Sequence, residues 1–217
     1  MKKILVLSML VLLCGLFAFA QDAPRGELFF GYTYVRANSA TNVPAFSMNG
    51  GSAQAAINFN KWIGFVMDMG AHHNGNIGGN HLDTTAVPFL FGPRVSLRYS
   101  RIRPYFQTLF GGVHAGTSIT VSAIPVPPSP SQPIYLPGVG TVPANTPVSL
   151  RAVASETAFA AAFGGGLDIK INKVVSFRPI GLDYFLTRLQ NLRTAGDNNQ
   201  HNIRYTAGLN FNFGSAQ

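Results

Sequence analysis

The chain has 217 residues, of which 47% are hydrophobic and only 11% are charged. The charged fraction is less than half of the roughly 25% typical of soluble globular proteins, and so apolar a chain does not match the composition of disordered proteins. A single cysteine excludes a disulfide framework and a cysteine-based zinc site. The formal net charge is +8 at pH 7, but no basic-aromatic patch or recognition motif accompanies it, so we predict no nucleic-acid partner.

The first twenty residues have the parts of a secretory signal peptide. Two lysines precede an apolar run at residues 4–17, and residues 18–20 form an Ala-x-Ala cleavage site. The run is shorter than the roughly 20 residues that a transmembrane helix needs. We therefore predict a cleaved signal peptide at residues 1–20 and one mature domain at residues 21–217.

The mature chain shows the two-residue periodicity of β-strands, and helical periodicity is scarce. The clearest case begins at Val87, where apolar side chains alternate with smaller or charged ones as far as Tyr99. A tilted strand crosses a membrane with about 9–11 residues, close to the length of most such segments here. In chain order the eight predicted strands are residues 27–36, 51–58, 62–71, 87–99, 104–115, 157–170, 174–188 and 203–213.

The seventh segment changes its alternation partway along. Val175 and Phe177 continue one apolar face, whereas Leu182 and Tyr184 have the opposite parity. A β-bulge adds one residue to a strand and re-aims the side chains beyond it, and proline has no N–H to donate to a neighbouring strand. We therefore predict a bulge at residues 179–180.

Short and long connections alternate along the chain. The predicted tight turns are residues 58–61, 100–103 and 171–173, and the predicted long loops are residues 37–50, 72–85, 116–155 and 189–201. Short periplasmic turns and long extracellular loops are typical of outer-membrane barrels. Backbone polar groups in hydrocarbon must all be hydrogen-bonded, so a sheet in a bilayer has to close on itself. We predict an all-β fold, an eight-stranded antiparallel up-and-down transmembrane barrel with its aromatic face outward. The alternative is a soluble periplasmic barrel of lipocalin type with that face inward.

Several short motifs also carry a family resemblance, namely residues 27–34, 58–64, 91–94, 103–105, 164–168, 178–179, 182–184 and 209–214. In their order and spacing they resemble the outer-membrane protein β-barrel domain family, the small OmpA-like and OmpX-like eight-stranded barrels. The resemblance implies a protein of the cell outer membrane that is surrounded by lipid and lipopolysaccharide. It also implies recognition by the outer-membrane insertion machinery through the aromatic last strand.

Four acids and four arginines lie within the predicted strands, on the face opposite the aromatic one. They are Glu27, Asp68, Asp168, Asp183, Arg94, Arg98, Arg178 and Arg204. Ionisable groups at bilayer depth are expected to point inward and pair, and an eight-stranded barrel is only just wide enough for its own side chains. We therefore predict a lumenal salt-bridge network that plugs the barrel. The alternative is a narrow passive porin-like channel lined by the same charges.

The histidines and the third long loop are the remaining candidate features. The histidines, all placed at strand ends on the long-loop side, are His72, His73, His81, His114 and His201. Their spacing matches no ligand motif, so we predict surface histidines and no metal or cofactor. Residues 116–150 contain no charged residue and eight of the 14 prolines, which favours a strand ribbon with an extended or disordered tip.

These features predict a structural or surface-interaction, adhesion-like role for a monomeric barrel, with loop 116–155 contacting an extracellular ligand. On the outer side, Arg36, Arg188 and Arg193 could pair with lipopolysaccharide phosphates. A lipid-modifying enzyme at the outer rim would need a serine, a histidine and an acid together. The nearest candidates are His114, Ser118 and Glu156, and we predict that no residue of the chain is catalytic.

Overall fold

The computed structural model of the chain describes residues 24–38, 45–76, 82–98, 101–123, 133–136, 140–142, 148–189 and 199–215. The predicted signal peptide, His81 and Arg193 lie outside the described residues. In the described part of the chain, no helix is long and apolar enough to cross a membrane.

The described residues form a closed barrel and one separate hairpin. The strands are β1 (Pro24–Ala37), β2 (Phe46–Asn58), β3 (Ile63–Asn74), β4 (Leu82–Ser96), β5 (Ile102–Ala123), β6 (Ile134–Leu136), β7 (Gly140–Val142), β8 (Val148–Lys170), β9 (Val175–Thr187) and β10 (Gln200–Ser215). Eight of them pair antiparallel with their neighbours, and β10 pairs back with β1 to close the barrel, whereas β6 and β7 pair only with each other. The predicted eight-stranded antiparallel barrel is confirmed. The β6–β7 hairpin was not predicted.

Several strands extend beyond their predicted ends. β5 and β8 stay paired from Ile102 and Ile169 as far as Ala123 and Val148. They pass the bounds predicted for the barrel strands at residues 115 and 157 and continue as the strand ribbon predicted for this loop. The added residues are rich in threonine, serine and valine, which suit a strand even where their outward faces are not strongly apolar. In the opposite sense, β4 ends at Ser96, so Arg98 lies beyond the strand that was predicted to contain it.

The barrel is apolar outside and polar inside. Phe30, Phe91 and Phe106 on the outer surface are 53%, 51% and 57% exposed, whereas Arg178 and Arg204 inside are 0% exposed. Successive side chains of a strand point to opposite faces of the sheet, so the alternation in the sequence becomes a difference between two surfaces. The prediction that the aromatic face points outward is confirmed.

The predicted bulge in β9 is also confirmed. Thr206 of β10 pairs with Gly181, but Gly208 pairs with Arg178, so β9 carries one extra residue there. The Tyr205 hydroxyl on the outer surface donates a 2.7 Å hydrogen bond to the Pro179 carbonyl oxygen. The bulge thereby brings both Arg178 and Asp183 to the inside of the barrel, and a backbone acceptor at the irregularity is satisfied.

Candidate functional site: the lumenal network

Every barrel strand contributes a buried polar side chain to the lumen. We call this set the lumenal network, and its members are Glu27, Gln54, Asp68, Arg94, Arg98, Gln107, Asp168, Arg178, Asp183, Arg204 and Asn210. The period-two geometry of the strands aims these side chains at one another from all sides of the barrel. Four carboxylates and four guanidinium groups leave the network with no formal net charge.

Arg204 joins two carboxylates from different sides of the barrel. Its Nη2 donates to Asp183 Oδ2 at 2.8 Å on the neighbouring strand β9, and its Nη1 donates to Asp68 Oδ2 on β3. The neighbour order places β3 three strands away from β10. The Arg204–Asp68 contact therefore runs across the lumen, and both acids depend on one buried cation.

Arg178 is held by an acid, an amide and two aromatic rings. It donates to both oxygens of Asp168, at 2.6 and 3.1 Å, and its Nη1 donates to Gln54 Oε1 at 2.8 Å across the lumen. Its guanidinium carbon lies 4.2 Å from the centre of the Phe29 ring and 4.3 Å from that of Tyr105. A guanidinium between two aromatic faces gains cation–π attraction where no water surrounds it.

Small residues in the wall make room for these large groups. A Cβ added to Gly181 would lie 2.3 Å from Thr206 Oγ1 and 2.9 Å from the Tyr105 hydroxyl. One added to Gly164 would lie 2.6 Å from an Asp183 carboxylate oxygen. Gly181, after the bulge, is therefore required by the volume of the side chains in the lumen, whereas an added Cβ at Gly164 would also lie 2.1 Å from the backbone carbonyl oxygen of Leu182.

Arg94 and Arg98 share the carboxylate of Glu27. Arg98 Nη2 donates to Glu27 Oε1 at 2.8 Å, whereas Arg94 Nη1 lies 3.8 Å from Oε2. Arg94 makes its shorter hydrogen bonds to Gln54, at 2.6 Å, and to Gln107, at 2.9 Å. Since Gln107 also donates to Asp183 at 3.2 Å, the contacts link the Glu27 end of the network to Arg204.

The structure brings all eight sequence-derived residues into ion pairs and adds three amides that sequence reasoning missed. Gln54 accepts hydrogen bonds from both Arg94 and Arg178, and Gln107 accepts from Arg94 and donates to Asp183. Asn210 donates to Glu27 at 3.1 Å and to Asp168 at 3.4 Å. Parity could have found the amides, because they stand at the inward positions of their strands. Because the amides carry no charge, an argument from charge pairing alone does not select them.

The four histidines that the structure describes do not form a common site. His72 was predicted to lie on the surface, which is wrong: it is 1% exposed inside the barrel, and its Nε2 has no hydrogen-bond partner in the described structure. Its position on β3, four residues after Asp68, gives it the inward parity. His73 lies 3.3 Å from Asp83, and His114 Nδ1 lies 2.8 Å from Thr157 Oγ1. Among the described residues, no three His, Cys, Asp or Glu side chains are grouped as metal ligands.

The lumen changes character toward the long-loop end of the barrel. There a cluster of inward side chains is apolar and includes Val35, Met48, Val113 and Phe185, each no more than 5% exposed. We call this part the apolar layer. Phe185 stands between the two parts, since its ring centre lies 5.6 Å from the guanidinium carbon of Arg204.

Comparison with known proteins identifies the fold but not a family. No protein-family model and no curated protein matches the chain. Among solved structures, Ail, the attachment invasion locus protein of Yersinia pestis, is 14% identical with a TM-score of 0.55 over 88% of this chain and 99% of that one. Neisserial surface protein A is 12% identical with a TM-score of 0.57 over 87% and 97%.

A second structure of Ail, in complex with the heparin analogue sucrose octasulfate, matches at 14% identity with a TM-score of 0.51 over 88% of this chain and 99% of that one. At such low identities the likeness concerns the arrangement of the strands and not the chemistry of the loops. The protein has the fold of the small eight-stranded outer-membrane β-barrels.

Proposed function

We propose that the protein is an integral outer-membrane barrel whose lumen is plugged by the lumenal network and whose β5–β8 ribbon makes contacts at the cell surface. The β5–β8 ribbon comprises the paired residues 116–123 of β5 and 148–155 of β8. The observation that carries the proposal is the inverted distribution of polarity. Buried arginine–carboxylate pairs fill the centre, while phenylalanines, leucines and methionines cover the outside. Monomeric soluble proteins rarely expose apolar patches larger than a few hundred Å².

Aromatic side chains lie at both edges of the apolar outer surface, where the two faces of a membrane would be. At the short-turn end, Trp62 is exposed and its ring centre lies 5.3 Å from Lys61 Nζ. At the other end, the outward Tyr34 hydroxyl lies 2.8 Å from Ser47 Oγ, and the Tyr184 hydroxyl forms a hydrogen bond with His201 Nδ1. Aromatic rings with polar partners at both edges of an apolar band are typical of the girdles of membrane barrels.

A pair of substitutions distinguishes a lipid-facing surface from a water-facing one. Phe106 on the barrel and Val153 on the ribbon are both exposed, at 57% and 69%. Arginine at the bilayer midplane costs about 2–4 kcal/mol in a membrane barrel, so Phe106→Arg should lower folding yield into lipid vesicles while Val153→Arg leaves it unchanged. Equal tolerance of both variants, with the protein recovered in the soluble fraction of cells, would contradict the membrane location.

When the full sequence is expressed in cells, the protein should lose residues 1–20 and fractionate with the outer membrane. Mass spectrometry of the recovered protein gives the mature N-terminus directly. A mature chain beginning near residue 21 agrees with the signal peptide, and an intact Met1 contradicts it. Heat-modifiable mobility in detergent gels then reports whether the barrel has closed.

The contacts across the lumen favour a barrel with a plugged lumen over a barrel that conducts. Arg204 reaches Asp68 and Arg178 reaches Gln54, each between strands on different sides of the barrel. An eight-stranded barrel has little interior volume beyond its own side chains. Purified protein in a planar bilayer should therefore show no steady conductance. Stable single-channel steps from the unmodified protein would favour the porin-like alternative.

The β5–β8 ribbon is the surface that best supports an interaction role. Residues 148–158 of β8 pair with β5 on one edge, whereas the pairing of β8 with β9 begins only at Ala160. An edge of this kind offers backbone N–H and C=O groups to an extended segment of another protein. Ail, the attachment invasion locus protein, has the same fold, and we extend only a general surface-contact role to this chain.

Shortening the ribbon tests the interaction role separately from the fold. A variant in which residues 117–153 are replaced by a tight turn keeps the barrel part of every strand. In lipid vesicles, the full chain should bind a surface coated with extracellular-matrix proteins and the shortened chain should not, with equal heat-modifiability as the folding control. Equal binding by both chains would refute contact through the ribbon.

A further inference from the structure

The apolar layer lines a partly open cavity of about 60 Å³ at the long-loop end of the lumen. Its lining includes Val35, Met48, Ala86, Val113 and Phe185, and none of its lining residues is charged. A single water needs about 10–15 Å³ of such volume together with two to four polar partners. The cavity therefore has room for several waters, but its walls give them little to bind.

The polar residues at the rim are already committed to one another. Gln200 Oε1 accepts hydrogen bonds from Thr187 Oγ1 at 3.1 Å and from the Leu189 N–H at 3.0 Å. The Asn38 N–H donates to Asn202 Oδ1 at 3.3 Å. These bonds tie the ends of β9 and β10 to the residues that follow β1 and β9, so the rim is preformed and its main hydrogen-bonding groups are in use.

We propose that this cavity binds an uncharged alkyl chain. An apolar, preformed concavity favours an apolar occupant, because its walls lose no hydrogen bonds when poorly bound water leaves. A charged head group would find no partner there, because the Phe185 ring stands between the cavity and the guanidinium of Arg204, and burying an unpaired charge is costly. The chain could belong to a soluble alkanol or to a membrane lipid, and the two sources share the same chemistry.

Methionine methyl groups provide an NMR reporter inside the cavity and controls outside it. Met48 lines the cavity, whereas Met67 and Met69 are 57% and 58% exposed on the outer surface. In nanodiscs of phosphatidylcholine with deuterated acyl chains, the methyl resonance of Met48 should shift saturably on titration with 1-hexanol. The resonances of Met67 and Met69 should shift only in proportion to the alcohol that enters the bilayer.

Two comparisons define the ligand class. Hexanoate at pH 7 should need at least a tenfold higher concentration than 1-hexanol for half of the Met48 shift, because its carboxylate is charged. In nanodiscs with protonated acyl chains and no added alkanol, a nuclear Overhauser effect between lipid methylenes and the Met48 methyl would identify a membrane lipid as the source. A saturable hexanol response without that effect would identify a soluble ligand.

Filling the cavity supplies the mutational test. Ala86→Leu and Val113→Phe place new side-chain atoms inside it, so each should raise the half-saturation concentration at least tenfold. Ala55→Leu, on the outer surface, is the matched control and should leave it unchanged. The proposal is overturned if Met48 shows neither a saturable shift nor a lipid contact, or if its response survives in a filled variant with normal heat-modifiability. Neither result bears on surface binding by the ribbon.

Discussion

The lumenal network and the apolar layer lie inside the same closed sheet but are built from charged and apolar side chains, respectively. In the lumenal network, buried arginines and carboxylates satisfy one another across the barrel, while in the apolar layer Val35, Met48 and Val113 meet without polar contacts. Charged groups taken out of water are stable only while every partner is present, whereas apolar contacts are lost in small increments. The same substitution, truncation to alanine, should therefore have different consequences in the two parts.

The largest expected effect is that of Arg204→Ala. It would leave Asp68 and Asp183, both at most 3% exposed, without their common cation. Removing one partner of a buried ion pair costs about 3–5 kcal/mol, and the free energy of unfolding in urea, measured in lipid vesicles, should fall by that amount.

Two arginines serve as controls for Arg204→Ala. Arg94→Ala should cost less, about 1.5–3 kcal/mol for hydrogen bonds to a charged group, because Glu27 keeps Arg98 at 2.8 Å. Arg151 is exposed on the ribbon, so Arg151→Ala should leave the unfolding curve unchanged. Similar losses for Arg204→Ala and Arg151→Ala would show that the lumenal network contributes little to stability.

The apolar layer should respond in proportion to how closely each side chain is packed. Leu109 is fully buried, whereas Met48 borders the cavity. Truncation of either side chain falls in the range of about 2–5 kcal/mol. We expect Leu109→Ala near the middle of that range and Met48→Ala at its lower end, because Met48 already has open space on one side. Equal unfolding free energies for the two variants would mean that Met48 is packed as closely as Leu109 and that no cavity lies beside it in the membrane.

The contrast between the two parts also explains what the sequence could predict. Alternation assigned Phe106 and Arg204 to opposite faces, and the altered parity around Pro179 located the bulge. These features repeat every two residues and need no knowledge of distant parts of the chain. They determine which side chains enter the lumen, and the barrel closure then leaves the charged ones little alternative but to pair.

Pairing partners and cavities depend on information that the local pattern lacks. Arg204 meets Asp68, 136 positions away in the sequence, only because the strand order and stagger bring them together. His72 was misassigned because its inward parity was not followed to the end of a strand that runs to Asn74. The apolar layer was not predicted for a related reason: Met48 lies before the predicted start of its strand at residue 51, and Val35 is the last inward position of a strand predicted to end at residue 36.

The smallest expected effect is that of Gly181→Ala, which tests how tightly the wall fits the lumenal network. The new Cβ would lie 2.3 Å from Thr206 Oγ1 and 2.9 Å from the Tyr105 hydroxyl, both of them side-chain atoms. Overpacking typically costs about 1–3 kcal/mol, and we expect about 1 kcal/mol because side chains can yield more easily than backbone. Gly116→Ala is the control, because no atom lies within 4 Å of its added Cβ. Thr206→Ala removes the closest obstacle, so in a double-mutant cycle of urea unfolding it should recover most of the loss caused by Gly181→Ala. Additive losses in that cycle would mean that the glycine is required by the backbone at the bulge and not by the volume of the groups it faces.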